Sequence, residues 1–407
     1  MVPNGWERKP LEKVAEIQTG VAKGKKGLKD PIEVPYLRVA NVQDGNIDLS
    51  VVKTIQIERH QLERYSLQVG DVLMTEGGDF DKLGRGDVWQ GQIVPCLNQN
   101  HVFAVRPNKQ ILLPYFLATL SASNYGKTYF LSCAKRSTNL ASINSTQLKE
   151  FPVLLPPLPE QRKIAQILST WDKAITTTEK LIATSKQQKK ALMQQLLTGK
   201  KRFKDQNGNT FPKWIYESIG KYLVPYKELA PANTKIPVLT SSRTGLYLQE
   251  RSVINEGDYG VLPLGYFTYR HMSDDLIFKF NVNRTWDRGA VSKEYPIFKT
   301  VGLDSYFLES NLNEGDDFKR FAIQQKQGGT RTRLYFKSLK ELKLKLPCLE
   351  EQQKIASVLT AADKEIELLE VKLAHLKQEK KALMQQLLTG KRRVKEDVLE
   401  LGVATPY

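Results

Sequence analysis

The chemistry this sequence offers is contact chemistry. Lysine and arginine pair with phosphates, arginine reads guanine, and asparagine or glutamine reads adenine through the major groove. In the first half, loop-like stretches supply Lys25 and Lys26 (AKGKKG), Lys82 and Arg85 (GGDFDKLGRG), and the amides Asn98, Gln99 and Asn100 (CLNQNH). Lys135 and Arg136 follow in AKRSTN. In the second half come Ser242, Arg243 and Thr244 (SSRTG), Tyr269, Arg270 and His271 (TYRHM), Arg288, and Arg331 and Arg333 (GGTRTR). AKRSTN and GGTRTR each stand shortly before a long helical stretch, so the two halves place a basic loop alike.

Plainer roles stay open for several of these residues. AKGKKG also reads as a solvated turn, and CLNQNH as a turn between strands. Arg270 could pair with Asp274 or Asp275, and Arg288 with Asp287. Signs of catalysis are missing. GVAKGKKG lacks phosphate-loop spacing, GRG at Gly84–Gly86 lacks the third glycine of a dinucleotide fingerprint, and the one Pro-Pro pair, in LPPL, has no aromatic after it. His60, His101, His271 and His375 are scattered, without metal-ligand spacing.

Charge points the same way. The 407 residues carry a formal net charge of +17, which favours a polyanionic partner, nucleic acid before a membrane surface. With 41% hydrophobic and 26% charged residues the composition is that of a globular protein. No apolar run approaches the roughly eighteen residues of a membrane span. The opening MVPNGWERKPLEKV has no secretory core, and three dispersed cysteines suit a reducing compartment, so a cytoplasmic location is expected.

Two long helices must position these loops. KKALMQQLLTGK occurs at 189–200 and again at 380–391, and residues 160–203 match 351–394 at 26 of 44 positions. Ile164, Leu168, Trp171, Ile175, Ile182, Leu192 and Leu196 follow alternating steps of four and three. Ile355, Leu359, Ile366, Leu369, Leu373, Leu376, Leu383 and Leu387 do the same, which is a coiled-coil seam. Lys189 and Lys380 interrupt it at equivalent places, either fixing register or snorkelling outward. Thr198-Gly199 and Thr389-Gly390 supply the stops.

The blocks before each helix mix short strand-like runs, such as YLRVANV, DVLMTE, HVFAVRP and YGVLPLGYFTY, with Gly and Pro punctuation. They do not align with one another beyond Trp6 and Trp214 near their starts. A block whose ends lie close together sends the second helix back along the first. The expected fold is therefore α+β: two mixed α/β blocks, 1–155 and 201–346, separated by two long antiparallel coiled-coil helices, 156–200 and 347–392. A tail at 393–407 closes a pseudo-two-fold arrangement. The seams could instead pair with a second chain.

LPPLPEQRKIAQIL and LPCLEEQQKIASVL, each closed by KKALMQQLLTGK, resemble the helical regions of the specificity subunits of type I restriction–modification systems. The order of block and helix matches over essentially the whole chain. TEGGDFDKLGR with CLNQNHVFAVRP, and YFTYRHMSDD with GAVSKEYPIF, are more loosely similar to their target-recognition domains. The resemblance implies a non-catalytic subunit that reads a split sequence on double-stranded DNA. It implies two adenine-N6 methyltransferase (modification) subunits as partners, and restriction subunits in the full complex. S-adenosylmethionine, ATP and magnesium would then belong to those partners, with no cofactor in this chain. The competing reading is a helical scaffold for docking proteins, its basic charge incidental.

A helix of about 38 residues is about 57 Å long. Two major-groove readers on one face of DNA sit about 34–36 Å apart, which leaves roughly six base pairs unread between short half-sites. The helix pair is expected to set that gap.

Overall fold

The computed structural model describes residues 2–23, 27–80, 83–136, 138, 140–250, 257–326 and 331–394. Lys25, Lys26, Lys82 and most of the 393–407 tail lie outside them. The long helices run Leu158–Leu196 and Leu349–Leu387. The chain divides into two compact units, Met1–Glu179 with Val371–Tyr407, and Lys180–Glu370. The dividing points fall inside both helices, so each unit owns half of each.

In the first unit, Val102–Pro107 is flanked by Ala15–Thr19 and Val72–Thr75, and Gly86–Val88 completes a four-stranded antiparallel sheet. The apolar run VFAVRP is buried at five of its six positions, as a central strand covered on both faces must be. Glu7–Pro10 pairs with Pro152–Leu155 and brings the start of the block to the root of the first helix. Two helices, Pro114–Ala122 and Asn124–Cys133, cover the sheet. Phe116, Leu120, Phe130 and Phe151 pack there with Ile164 and Leu168 of the first long helix and Leu387 of the second.

The second unit repeats this plan with unrelated residues. Leu223–Pro225, Ile297–Thr300, Phe267–Tyr269 and Phe280–Val282 form its four-stranded sheet. Ile215–Ser218 pairs with Lys343–Leu346, whose KLKL alternates exposed and buried. Ser305–Glu314 and Asp316–Gln324 are its helix pair. Phe267, Phe298 and Phe307 pack with Leu196, Ile355 and Leu359. The ends of the seam thus belong to block cores. Ile182 and Ile366 are also buried, while Trp171, Ile175, Leu192, Leu369, Leu373, Leu376 and Leu383 are half-buried.

The duplicated residues close each unit with the same clamp. In the first, Glu160 accepts from the Trp6 indole at 2.9 Å and from Arg393 at 2.7 and 2.8 Å. In the second, Glu351 accepts from Trp214 at 3.0 Å and from Arg202 at 3.1 and 2.7 Å. The next residue, Gln161, accepts from the Leu113 amide at 2.9 Å, and Gln352 accepts from that of Asp304 at 2.8 Å. Further on, Asp172 holds Lys380 and the Tyr115 hydroxyl, and Asp363 holds Lys189 and the Tyr306 hydroxyl. The acid always comes from one repeat and the base from the other. Within each unit the helix segments therefore run in opposite directions: Asp172 meets Lys380 while Glu179 meets Lys377, and Lys186 meets Glu370 while Lys189 meets Asp363. Two copies of one sequence, laid antiparallel, satisfy each other twice, which is the physical use of repeating Glu160, Asp172, Lys189 and Arg202 as Glu351, Asp363, Lys380 and Arg393. The seam lysines neither snorkel free nor stand unpaired. Burial pushes the Tyr115 and Tyr306 hydroxyls up, so they stay protonated and donate to their aspartates.

Gly199 and Gly390 take the expected left-handed conformation, at φ +70° and +66°. A side chain at Gly390 would also strike Pro3, 2.3 Å from its Cβ position.

Asp87, on the strand Gly86–Val88, sits near Asp172. Burial, then repulsion from Asp172, raises its carboxyl above the ordinary aspartate value of 3.8, against a hydrogen bond from its own strand and the charge of Lys380. The folded chain then holds this proton more tightly than the unfolded chain. This contribution to stability is full below about pH 4 and is lost as pH rises through the raised value. Asp87→Asn is expected to raise the neutral-pH melting temperature by a few degrees and to lose that advantage in acid. Melting curves between pH 4 and pH 7 check it; equal shifts at both ends would contradict the reading.

Candidate nucleic-acid interface

In the second unit a cleft of about 470 Å³ opens between a hairpin and a short strand pair. The hairpin is Leu239–Ser242 with Gly245–Leu248, and its tip carries Arg243. The Ser242 hydroxyl accepts from the Thr244 amide at 3.1 Å and shapes the tip. Buried Asn281 fastens the hairpin to the sheet, donating to the Ser241 hydroxyl at 2.9 Å and the Ser242 carbonyl at 3.0 Å. The strand pair is Met272–Ser273 with Thr332–Arg333, a register that sets Arg331 opposite Asp274 in the cleft that Arg270 also lines. Ser242, Arg243, Thr244, Arg270 and Arg331 all line this one cleft, together with Lys279.

Two acids order the arginines. Arg243 donates to Asp275 at 2.7 Å, and Arg331 to Asp274 at 3.0 Å. The Ser273 hydroxyl and then Arg243 hold the Asp275 carboxyl below its usual range, so it remains a carboxylate at neutral pH. The acids left as alternatives for Arg270 are thus taken by other arginines.

The first unit has its own cleft, about 500 Å³, at the matching place in the topology. A short strand after a central strand, Gly77–Gly78, pairs with Ala141–Ser142, which pairs with Lys135–Arg136. Gly77 is needed there, because a Cβ would lie 2.8 Å from the Ala141 carbonyl. Lys135 and Arg136 line the cleft with His101 and Glu76, which pair at 2.5 Å. Arg136 is steadied by the Leu131 carbonyl at 2.6 Å.

Other candidates fall elsewhere. Asn98 is buried, and its amide donates to the Val102 carbonyl at 2.6 Å, so it closes the turn between strands and is withdrawn as a DNA contact. Tyr269 is also withdrawn: it is fully buried and donates to the Leu334 carbonyl at 3.1 Å. Both corrections have one cause, polar groups spent on neighbouring carbonyls. Arg288 pairs with Glu228, not Asp287. Gln99 and Asn100 are half-buried, as are Arg85 and His271, while Arg333 is exposed and reaches the Tyr335 hydroxyl at 3.4 Å. Sequence reasoning missed Lys279, Asn281 and His101; His101 directly follows a quoted amide run, and the others had no local signal.

The family model for the type I restriction modification DNA specificity domain matches residues 3–187 and 298–378. The chain belongs to this family. A putative type I restriction enzyme MjaX specificity subunit from Methanocaldococcus jannaschii is 29% identical, over 97% of this chain and 95% of its own length. The type I restriction–modification S subunit from M. genitalium has a similar fold, with TM-score 0.56 at 12% identity over 95% of this chain and 97% of that one. A chain from a structure concerned with complex assembly and conformational transition of the type I R-M system gives TM-score 0.57 at 16% identity, covering 96% and 100%. At these identities the structural likeness speaks for the fold of the specificity-domain family.

Proposed function

We infer that this chain is the sequence-specific DNA-recognition subunit of a type I restriction–modification system. The observation that carries this is the family match in both halves, joined to a cation-lined cleft at the same topological place in each unit. Each unit reads one half of a bipartite target on double-stranded DNA. The two helices act as one antiparallel coiled coil with pseudo-two-fold symmetry, set the gap, and dock two modification subunits, with restriction subunits in the full complex. The chain itself is non-catalytic, and the partners hold S-adenosylmethionine, ATP and magnesium. A cytoplasmic site of action belongs to the same proposal; among the described residues, no helix is long and apolar enough to cross a membrane.

Co-expression with the cognate methyltransferase, followed by genome-wide mapping of N6-methyladenine, tests this in one measurement. A split motif with a constant gap is expected. Methylation without a motif, or a motif unchanged when this chain is replaced by a relative, would count against it. A docking scaffold with incidental charge would instead show no salt-sensitive binding of duplex DNA. Inserting four residues, about one turn, into both helices is expected to lengthen the gap by one or two base pairs. An unaltered gap would refute the ruler.

A further inference from the structure

We propose that Arg270 is the base-reading side chain of the second unit, and that the base it reads is guanine. The proposal rests on the DNA-recognition reading above and adds which residue discriminates.

Three arginines line the second cleft, and their surroundings sort them. Arg243 and Arg331 each already hold a carboxylate, Asp275 and Asp274. Each gives one N–H to its aspartate and keeps other donors, but its charge is already balanced and its plane is set by that carboxylate. Arg270 is exposed and has no hydrogen-bond or ion-pair partner among the described residues. Its charge and all five of its donors are unspent. Guanine presents two adjacent acceptors, O6 and N7, on its major-groove edge, and paired donation from arginine is the commonest specific contact with them. Lys279 in the same cleft is a point charge without that geometry.

The backbone beneath Arg270 is fixed while its side chain is not. The preceding Tyr269 is fully buried and hydrogen-bonded to the Leu334 carbonyl. The following His271 accepts from the Leu334 amide at 2.8 Å. Residues on both sides are thus tied to the same segment, which sets where the guanidinium starts. A fixed backbone limits where the guanidinium can reach, so the base position it meets is set even though its rotamer is chosen on binding.

The test uses the full-length chain in selection from a randomised duplex library, with Arg270→Gln and Arg270→Lys beside the unaltered protein. The unaltered chain is expected to return a motif in which one half contains a fixed guanine. Arg270→Gln is expected to relax that single position, losing roughly ten- to a hundredfold of discrimination there, with the remaining positions and the salt slope retained. Arg270→Lys is expected to keep overall affinity while losing most of that discrimination, which a merely structural role would not produce. Because Arg270 is exposed, both variants should match the unaltered melting temperature. A motif unchanged in Arg270→Gln, or an equal weakening on all sequences with a smaller salt slope, would overturn the assignment and leave DNA recognition standing. Failure of the unaltered chain to select any motif would overturn both.

Discussion

Glu351→Ala is expected to destabilise the second unit by about 3–5 kcal/mol, the cost of removing one partner from a buried ion pair. The carboxylate is fully buried and accepts from Arg202 twice and from the Trp214 indole. Without it the indole N–H loses its acceptor. Arg202, with a side chain only 23% exposed, keeps its carbonyl contacts to Phe211 and Pro212 but has no counter-charge. The carboxylate at present holds the guanidinium proton more firmly than usual. Glu160→Ala in the first unit removes equivalent bonds, yet Arg393 is 44% exposed and can be rehydrated, so a smaller loss is expected there. Denaturation followed by tryptophan fluorescence separates the cases. Glu351→Leu combined with Arg202→Met should recover much of the loss, because no charge is then stranded. Equal midpoints for Glu351→Ala and the unaltered chain would dismiss the clamp as an energetic feature.

Arg243→Gln with Arg331→Gln is expected to weaken duplex binding about a hundredfold at moderate salt. Each guanidinium gives one N–H to its aspartate and is well exposed, so its other donors are open to a phosphate oxygen. Two fewer neutralised phosphates should flatten the slope of log affinity against log salt by about 1.8. The loss should be the same on every DNA sequence, which distinguishes these residues from Arg270. Titrations at several salt concentrations decide it; a retained slope would mean that these arginines serve only their aspartates.

Much of the architecture was legible because it repeats. The 4-3 spacing with Gly199 and Gly390 located both helices to within about two residues. Runs of apolar residues located Val102–Pro107 and Val72–Thr75. The helix Pro114–Ala122 was not legible, since Phe116 to Ser121 are all buried and no polar face marks its period. The likeness of the two blocks was hidden for a related reason. Short strands demand only burial, so Phe267 and Phe298 do in one block what Met74 and Phe103 do in the other. For the candidate site, loop composition pointed to Arg243, Arg270, Arg331, Lys135 and Arg136. It could not separate them from Asn98 and Tyr269, because whether a polar group faces water depends on which carbonyl folds against it.

By itself the sequence determined that one acid–base pattern is written twice, and that two basic, unlike blocks precede two like helices. Only the tertiary structure decided that the acids of one copy meet the bases of the other, and which arginine in the second cleft is left without a carboxylate. The reason is range. Helical periodicity is a property of neighbours along the chain, whereas the pairings of Glu351 with Arg202, and of Arg331 with Asp274, join residues 149 and 57 positions apart.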